Sequence, residues 1–406
     1  MNKILDQAEL IAIIRDSIGH AKAGTISRAP GMLKLPASRY YDPDNFQREV
    51  DQIFKRVPLL MATTAEMAKP GDYKTLTAVG VPVLLVRGQD GVVRAFLNSC
   101  SHRGTNVATE PAGNAKRFVC PYHGWTFTQK GELMGVASPE DFGPIDKSCY
   151  GLTPLPCDER AGLIWVIVNP KSDLSFDDFL SGYDKLLANF GFQDWHFFDK
   201  RTLAGPNWKI AYDGYLDFYH LPVLHKNTFG EDMFNQALYY AWGPHQCLRA
   251  PTAEVAALGD QSEDQWTDES KMGGVWTVFP HISIASFDGG CRGVMISQLM
   301  PGSHVGESFT TQIYLTQHPP TDEQAAEVTT QFKFLEMVVR DEDYATGLRQ
   351  QKALENGGRE WVLFGENEGG AQQFHQWVDR ILAADDTQLK ALFAETSGLK
   401  MQTRTA

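Results

Sequence analysis

Two short segments that combine cysteine with histidine constrain this chain more than any other feature of its sequence. The first, at residues 100–104, reads CSHRG, and the second, at residues 120–125, reads CPYHGW. Each segment offers one thiolate and one imidazole to a metal. The four candidate ligands are Cys100, His102, Cys120 and His123. A glycine closes the ligand run in both segments, and glycine allows the backbone to approach a bound group closely. We therefore predict one metal site built from two loops.

This ligand set fits a Rieske [2Fe–2S] centre, in which two cysteines bind one iron and two histidines bind the other. Tetrahedral zinc is the alternative, because zinc also accepts two cysteines and two histidines. Zinc fingers, however, usually keep the cysteines as one pair and the histidines as another. Since each segment here mixes the two residue types, we interpret the segments as cluster-binding loops.

Short β-strand patterns surround these loops and predict a small antiparallel β domain over residues 57–170. The predicted strands are 73–79, 82–87, 92–98 and 163–168. Residues 133–146 are expected to form a covering loop, and Arg103 and Trp125 either shield the cluster or belong to ordinary packing.

Residues 1–56 carry no visible chemistry and are interpreted as a helical leader that wraps the core. Apolar residues at helical spacing predict a helix over 5–18. A second helix is expected over about 45–56, with Asp42 as its cap.

A second candidate metal site lies in residues 207–225, which read NWKIAYDGYLDFYHLPVLH. His220 and His225 are candidate ligands of a mononuclear Fe(II) in a two-histidine, one-carboxylate triad. Asp217 and His220 are three residues apart and are expected on one helix face. Residues five apart on a regular helix are turned about 140° from each other. We therefore expect a kink or a π-bulge at Pro222.

Both regions resemble the large (alpha) oxygenase subunit of the Rieske non-haem iron oxygenases, the aromatic-ring-hydroxylating dioxygenase family. The resemblance implies an α+β chain, with an N-terminal antiparallel β Rieske domain. A mixed α/β, helix-grip-like catalytic domain would follow over residues 171–406. The implied cofactors are a Rieske [2Fe–2S] cluster and a mononuclear Fe(II).

The third iron ligand is implied by the family's late motif, a Glu-Asp pair with a glutamine eight residues after the aspartate. Glu342, Asp343 and Gln351 match it, so the resemblance implies Asp343 as the ligand, with Asp341 as the fallback. Without the two histidines, this acidic run would be interpreted as a solvated helix start.

The substrate pocket is expected next to the triad. Gly214 stands where the family often has asparagine, which is expected to enlarge the pocket and leaves open whether Asp213 or a water replaces that polar contact. His281 stands where an asparagine is common in the family. The candidate pocket residues are Gly214, Tyr215, Phe218, Phe229, Met233 and His281, together with the strands within 282–300. Ordinary core packing is the alternative for each aromatic residue.

Asp217 has a special place in the resemblance. It would be neither a metal ligand nor a base, but would join a Rieske histidine of one subunit to the iron-binding histidine of the next. An ionised carboxylate can accept N–H bonds from two imidazoles and orient both rings. The arrangement implies a closed ring of subunits, a homotrimer with or without additional β subunits.

The function implied by the resemblance is that of a terminal oxygenase. Electrons from a ferredoxin or an NAD(P)H-dependent flavin reductase would reach the Fe(II), where O₂ hydroxylates a hydrophobic, typically aromatic, substrate. Cis-dihydroxylation and monooxygenation, including demethylation, both stay open. No credible GxGxxG motif is present, so we expect nicotinamide and flavin on the partner. The alternatives are a Rieske electron-transfer protein, which would not need residues 171–406, and a zinc-stabilised binding module.

Composition limits the partners and the cell compartment that we expect for the protein. A formal net charge of −13 argues against a general nucleic-acid binder. No apolar run approaches the roughly 20 residues of a membrane span, and no secretory signal is recognised. The remaining cysteines are interpreted as reduced thiols. They are Cys149, Cys157, Cys247 and Cys291. We therefore expect a cytoplasmic protein.

Overall fold

The computed structural model describes residues 7–396 and 398–401, and the chain divides into two compact units. One unit contains residues 54–176, and the other combines the residues up to 53 with those from 177 onward. Most of the predicted leader therefore groups with the C-terminal part of the chain.

The unit of residues 54–176 is built on antiparallel strands. Its largest sheet has five strands, in the order Pro154–Leu155, Val93–Leu97, Val81–Arg87, Asp72–Ala78 and Ala112–Asn114. A three-stranded sheet contains Cys157–Arg160, Leu163–Val166 and Leu59–Thr63. All four predicted strands are confirmed, with ends shifted by one or two residues.

A third sheet in this unit contains Arg117–Val119, Thr126–Thr128 and Leu133–Gly135. The predicted covering loop thus begins with a strand and continues into the short helix Pro139–Phe142. Phe142 packs edge-on against Trp125, with ring centroids 5.5 Å apart. Alternating side chains of the strands meet in one core cluster that also contains Cys100 and Cys120. The metal-binding loops are therefore anchored at the edge of a packed core.

The other unit is organised around an eight-stranded antiparallel sheet. Its strands, in spatial order, are His196–Gly205, Ser308–Thr316, Cys291–Pro301, Ile282–Gly289, Val275–Val278, His245–Arg249, Leu238–Trp242 and Leu399–Met401. Several central strands are buried over nearly their whole length, so the side chains on both faces of the sheet are buried there. The predicted α+β fold class is confirmed.

Helices pack around this sheet. The helices outside residues 54–176 are Gln7–Ala23, Pro43–Glu49, Tyr183–Leu187, Trp208–Asp213, Leu221–Leu224, Ala253–Leu258, Asp268–Met272, Asp322–Met337, Ala345–Glu355, Gly369–Ala383 and Asp386–Ala394. Phe176–Leu180 begins at the last residue of the other unit. Within the described residues, no helix combines the length and apolar character needed to cross a membrane.

The N-terminal residues make specific contacts in this unit. Leu33–Pro36 pairs with Trp361–Phe364 in a two-stranded sheet. Asp42 caps its helix by accepting the backbone N–H of Asp44 at 2.9 Å, as predicted. The first helix begins at Gln7 among the described residues, so the predicted start at residue 5 lies outside them.

Candidate metal centres and substrate cavity

The two Cys/His loops close in the same way. In each loop the glycine N–H donates to the cysteine carbonyl, Gly104 to Cys100 at 2.8 Å and Gly124 to Cys120 at 3.0 Å. Both glycines have positive φ, +83° and +67°, a conformation that other residues adopt only with strain. The glycines therefore create the tight turns that hold each cysteine and histidine together.

The side chains of the loops converge. The rings of His102 and His123 lie with centroids 4.7 Å apart, and the Nδ1 atom of each is buried without a hydrogen-bond partner. Cys100 and Cys120 are buried free thiols. Burial raises the pKa of the Cys100 thiol, and the neighbouring Cys120 adds to the shift. A buried nitrogen without a partner is unfavourable unless something binds it. Two thiols and two free ring nitrogens therefore fit the four ligands of a Rieske cluster.

Aromatic rings cover the two histidines. Trp125 is buried and stacks on His102, with centroids 4.9 Å apart and planes 10° from parallel. Tyr122 lies against His123 at 3.8 Å and accepts a hydrogen bond from exposed Arg103 at 3.2 Å. Trp125 thus shields a ligand ring, whereas Arg103 acts at the surface through Tyr122.

A second set of ligands meets in the other unit. The ligand atoms of His220, His225 and Asp343 lie within 4.8 Å of one another. Asp343 Oδ1 is 3.8 Å from Nε2 of His220 and 3.2 Å from Nε2 of His225. Asp341 instead points away, into an exposed ion pair with Arg340 at 2.7 Å. The structure therefore brings together the ligand set that includes Asp343 and not the fallback.

The backbone at the two histidines differs from the expected kinked helix. The helix Trp208–Asp213 ends before the site, and His220 and His225 flank the separate short helix Leu221–Leu224. Pro222 lies in the first turn of that helix, where its missing N–H has no consequence. The predicted distortion at Pro222 is therefore wrong, because the two histidines are the residues just outside a single helical turn.

Asp217 and His220 do not lie on one helix face, but Asp217 still contacts His220. It lies in an irregular segment, where its Oδ1 accepts the backbone N–H of His220 at 3.1 Å and the ring Nδ1–H at 2.9 Å. The carboxylate thus orients the ring and leaves Nε2 for a metal. The predicted contact is present, but a loop forms it.

The π-helical geometry lies on the carboxylate side of the site. Val338–Tyr344 is a π-helix within a long helical run, and it carries both Asp343 and Glu342. Glu342 Oε2 accepts Nδ1–H of His225 at 2.6 Å. The wider turn therefore presents two adjacent carboxylates to opposite nitrogens of one imidazole. Our sequence interpretation missed this role of Glu342, although its place next to Asp343 in the motif was the available signal.

Electrostatics at His225 follow from these neighbours. Burial alone would lower the pKa of His225, but the carboxylates of Asp343 and Glu342 outweigh it and raise the pKa. The two carboxylates therefore make the ring more basic, and a basic imidazole is a good metal ligand once its Nε2 proton has left.

The late motif is also tied to the start of the 207–225 segment. Gln351 Oε1 accepts the backbone N–H of Asn207 at 3.2 Å, and Asn207 caps the helix Trp208–Asp213. This contact links the two segments that contain the candidate iron ligands.

A cavity of about 680 Å³ opens beside the triad. Its lining includes the predicted residues Gly214, Tyr215, Phe218, Phe229 and Met233. His281 is fully buried and is not among the described lining residues, and burial lowers its pKa to about 3. The lining also includes residues that could not be assigned to the cavity from the sequence, among them Leu335, Val338 and Val339 of the long helical run.

Asp213 and Gly214 have separate surroundings. Asp213 accepts hydrogen bonds from Tyr40 at 2.9 Å and from His375 Nε2 at 3.0 Å. A Cβ atom at Gly214 would meet only the Ala211 carbonyl, at 3.9 Å. The aspartate is therefore engaged with two buried side chains, while the glycine leaves space at the cavity.

Comparison with known proteins agrees with this geometry. The model of the Rieske [2Fe-2S] domain matches residues 58–145, and the model of the ring hydroxylating alpha subunit (catalytic domain) matches residues 192–384. The first match contains all four candidate cluster ligands, and the second contains the candidate iron ligands His220, His225 and Asp343.

Individual relatives are similar over part of their length. The glycine betaine monooxygenase oxygenase subunit of Chromohalobacter salexigens is 31% identical over 208 residues, 50% of this chain and 46% of the relative. The carnitine monooxygenase oxygenase subunit of Escherichia coli strain K12 is 33% identical over 205 residues, 47% of this chain and 52% of the relative. The chain thus spans about half the length of these curated relatives.

Solved structures share the fold over most of the chain. A quaternary ammonium Rieske monooxygenase has a TM-score of 0.70 at 20% identity, covering 89% of this chain and 97% of the other. Naphthalene 1,2-dioxygenase with indole bound also has a TM-score of 0.70, at 21% identity, covering 90% and 95%. The chain therefore contains a Rieske [2Fe-2S] domain, followed in sequence by a domain that matches the catalytic domain of ring hydroxylating alpha subunits.

Proposed function

We propose that this chain is the terminal oxygenase component of a Rieske oxygenase system. It would take electrons from a ferredoxin, a flavin reductase that uses NAD(P)H, or both, and use O₂ to oxidise an organic molecule held in the cavity. The observation that carries the proposal is the His220, His225 and Asp343 triad, whose free ligand atoms face each other beside a large and mainly apolar cavity. An electron carrier has no need of such a cavity.

The cofactors follow from the donor sets. Cys100, His102, Cys120 and His123 would hold the [2Fe–2S] cluster, and the triad would hold Fe(II). When bound, the cluster supplies single electrons and the mononuclear iron supplies a site for O₂ beside the substrate.

The residues around the triad orient its histidine rings and surround it with apolar side chains. Asp217 and Glu342 each fix one imidazole through Nδ1, so both Nε2 atoms point toward Asp343. Phe218 and Phe229 line the cavity next to the histidines with apolar surface. A pre-oriented site with apolar walls favours reaction with the bound molecule over loss of electrons to solvent.

The second oxygen of Asp217 supports an assembly of several copies. No described residue donates a hydrogen bond to Oδ2, and the side chain is 14% exposed. A carboxylate with one free acceptor suits a histidine ligand of a neighbouring copy, in a closed ring such as a homotrimer, with or without β subunits. The structural report on the related quaternary ammonium monooxygenase describes inter-subunit electron transfer in that protein.

The substrate has an apolar body. Aromatic and aliphatic side chains form most of the cavity wall. Relatives include the glycine betaine and carnitine monooxygenases and the chlorobenzene dioxygenase alpha subunit of Cupriavidus sp. strain PS12, so the substrate need not be aromatic. Dihydroxylation and monooxygenation both remain compatible with this triad. We propose a cytoplasmic location, where an electron-donating partner is available.

Metal analysis and product analysis test the proposal together. The purified chain is expected to contain two cluster irons and one mononuclear iron, with the electron paramagnetic resonance (EPR) signal of a Rieske centre. Reduced protein supplied with ¹⁸O₂ and a panel of arenes, methyl ethers and N-methyl compounds should form an ¹⁸O-labelled product. Cluster iron alone would indicate an electron carrier, and zinc alone a binding module.

A further inference from the structure

We propose that the cavity discriminates by charge: it admits neutral or cationic molecules and excludes anions, because Asp232 and Glu254 line it. This inference rests on the proposed function, since it treats the cavity as the substrate site. It narrows the substrate to compounds without a carboxylate, sulfonate or phosphate on the part that enters.

The charges on the cavity wall are of one sign. The acidic lining residues are Asp217, Asp232, Glu254 and Asp343. Among the described residues that line the cavity, none is a lysine or an arginine. A wall that can bind a carboxylate usually presents arginine or lysine to it, and this wall presents neither.

Bound iron would not cancel the negative charge of the cavity wall. Bound Fe(II) would bring two positive charges, and Asp343 and Asp217, which lie at the histidine ligands, formally balance them. Asp232 and Glu254 then remain as net negative charge on the wall.

Both remaining acids are exposed to incoming molecules. Asp232 lies in the loop after the histidines, and Glu254 lies in the first turn of the helix Ala253–Leu258. Hydrogen bonds from the Thr252 hydroxyl and from its own backbone N–H lower the pKa of Glu254, so it is ionised at neutral pH. Aromatic faces line the same cavity, and such faces attract cations. The lining is therefore favourable to cations as well as repulsive to anions.

Arg249 is a candidate for a compensating charge. It lines a smaller adjoining cavity of about 320 Å³ that also includes Glu254. Its guanidinium, however, is buried and donates at 2.8 Å to the carbonyl oxygens of Ser270, Lys271 and Gly273. The arginine thus holds the end of a helix and the following turn, and it is not presented to the main cavity.

Three naphthyl ligands of similar shape, one neutral, one cationic and one anionic, test the charge rule, which is the proposal that the cavity excludes anions. The measurements use the iron-loaded protein. We expect 2-naphthamide and 2-naphthylmethylamine to bind, by calorimetry, at least about tenfold more tightly than 2-naphthoate, which amounts to repulsion by two charges at about threefold each. In the double variant Asp232→Asn/Glu254→Gln the naphthoate should gain about tenfold and the amine should weaken. Glu323→Gln, an exposed acid on another helix, is the matched control and should change neither affinity.

Azide provides a measurement that does not depend on the fit of the naphthyl ring. Its affinity for the oxidised mononuclear iron should rise by several-fold in the double variant and stay constant in the Glu323→Gln control. If naphthoate binds wild type as well as the amide does, or if the double variant leaves both naphthoate and azide binding unchanged, the charge rule is wrong. A protein that obeys the rule but forms no ¹⁸O-labelled product would refute the proposed oxygenase function alone.

Discussion

Glu342 Oε2 lies 2.6 Å from Nδ1 of His225, while the next residue, Asp343, lies 3.2 Å from Nε2 of the same ring. One π-helical segment therefore presents an orienting carboxylate and a candidate iron ligand to opposite edges of one imidazole. Thr228 donates a further hydrogen bond to Glu342 at 3.0 Å and holds the orienting carboxylate in place.

Replacing Glu342 by alanine should weaken iron binding. Loss of a carboxylate that holds a metal-binding histidine typically lowers metal affinity about 10–100-fold. We expect that range in competition with a chelator, with Glu342→Gln retaining part of the affinity because an amide oxygen still accepts the N–H bond. Asp341→Asn, a change in a neighbouring exposed acid, is the control. Iron retention equal to wild type in Glu342→Ala would show that His225 needs no partner.

Substitutions can also test whether Asp343 or Asp341 is the third iron ligand. Asp343→Ala should lose the mononuclear iron and keep the Rieske EPR signal, because the cluster ligands lie elsewhere in the chain. Asp341→Ala should retain both metals, since its carboxylate pairs with Arg340 at the surface. The reverse pattern of iron contents would assign the ligand role to Asp341.

Asp217→Ala should leave both metal sites loaded but abolish most of the turnover. Asp217 binds the Nδ1 edge of His220 and is not itself within the triad. We expect at least an about 100-fold slower oxidation of the reduced cluster by O₂ with substrate present, at the upper end of effects for such carboxylates. Stopped-flow absorbance measures this rate directly. Re-oxidation at the parental rate would remove Asp217 from the electron path.

The leader is joined to the catalytic unit by a buried ion pair between Glu49 and Lys209. Both side chains are almost inaccessible, at 1% and 0% exposure, and Glu49 also accepts the indole N–H of Trp208. Lys209→Met leaves an unpaired buried carboxylate and should lower the free energy of unfolding by about 3–5 kcal/mol. Lys22→Met breaks an exposed pair with Asp260 and should cost about 0–1 kcal/mol. Denaturant titration compares the two, and equal small losses would contradict the argument.

The free energy of unfolding should decrease as the pH is lowered, because the buried histidine His245 resists protonation in the folded state. Burial lowers the pKa of this residue to about 4, and its ring accepts the Phe279 N–H and donates to the Phe179 carbonyl. The unfolded state binds a proton near the ordinary pKa of about 6.5, so stability is full above that pH. Below that pH, the free energy of unfolding decreases by about 1.4 kcal/mol per pH unit until the pH reaches the folded-state pKa of His245.

The corresponding variant is His245→Gln, which removes the titrating group. The slope of unfolding free energy against pH, measured between about pH 6 and 5, should be smaller than that of wild type by one proton. His304→Gln, at an exposed histidine, should leave the slope unchanged. An unaltered slope in His245→Gln would mean that other groups cause the acid sensitivity.

Short-range chemistry could be predicted from the sequence. Each Cys/His loop keeps its cysteine, histidine and glycine within five residues, so the spacing predicts which side chains form the candidate ligand set. The strand patterns around the loops and the Asp42 cap depend on neighbouring residues in the same way, and the structure contains both.

Long-range relationships required the tertiary structure. Glu342 contacts a histidine 117 positions earlier in the chain. The late motif distinguished Asp343 from Asp341, but it did not identify a partner for Glu342. The π-helical turn decides which acid faces the site, because it rotates neighbouring side chains by an amount that residue spacing does not specify. Likewise, packing buries His281 in the core and turns Leu335 and Val339 toward the cavity. The residue types determined which ligands were available, and only packing between distant segments decided which of them meet.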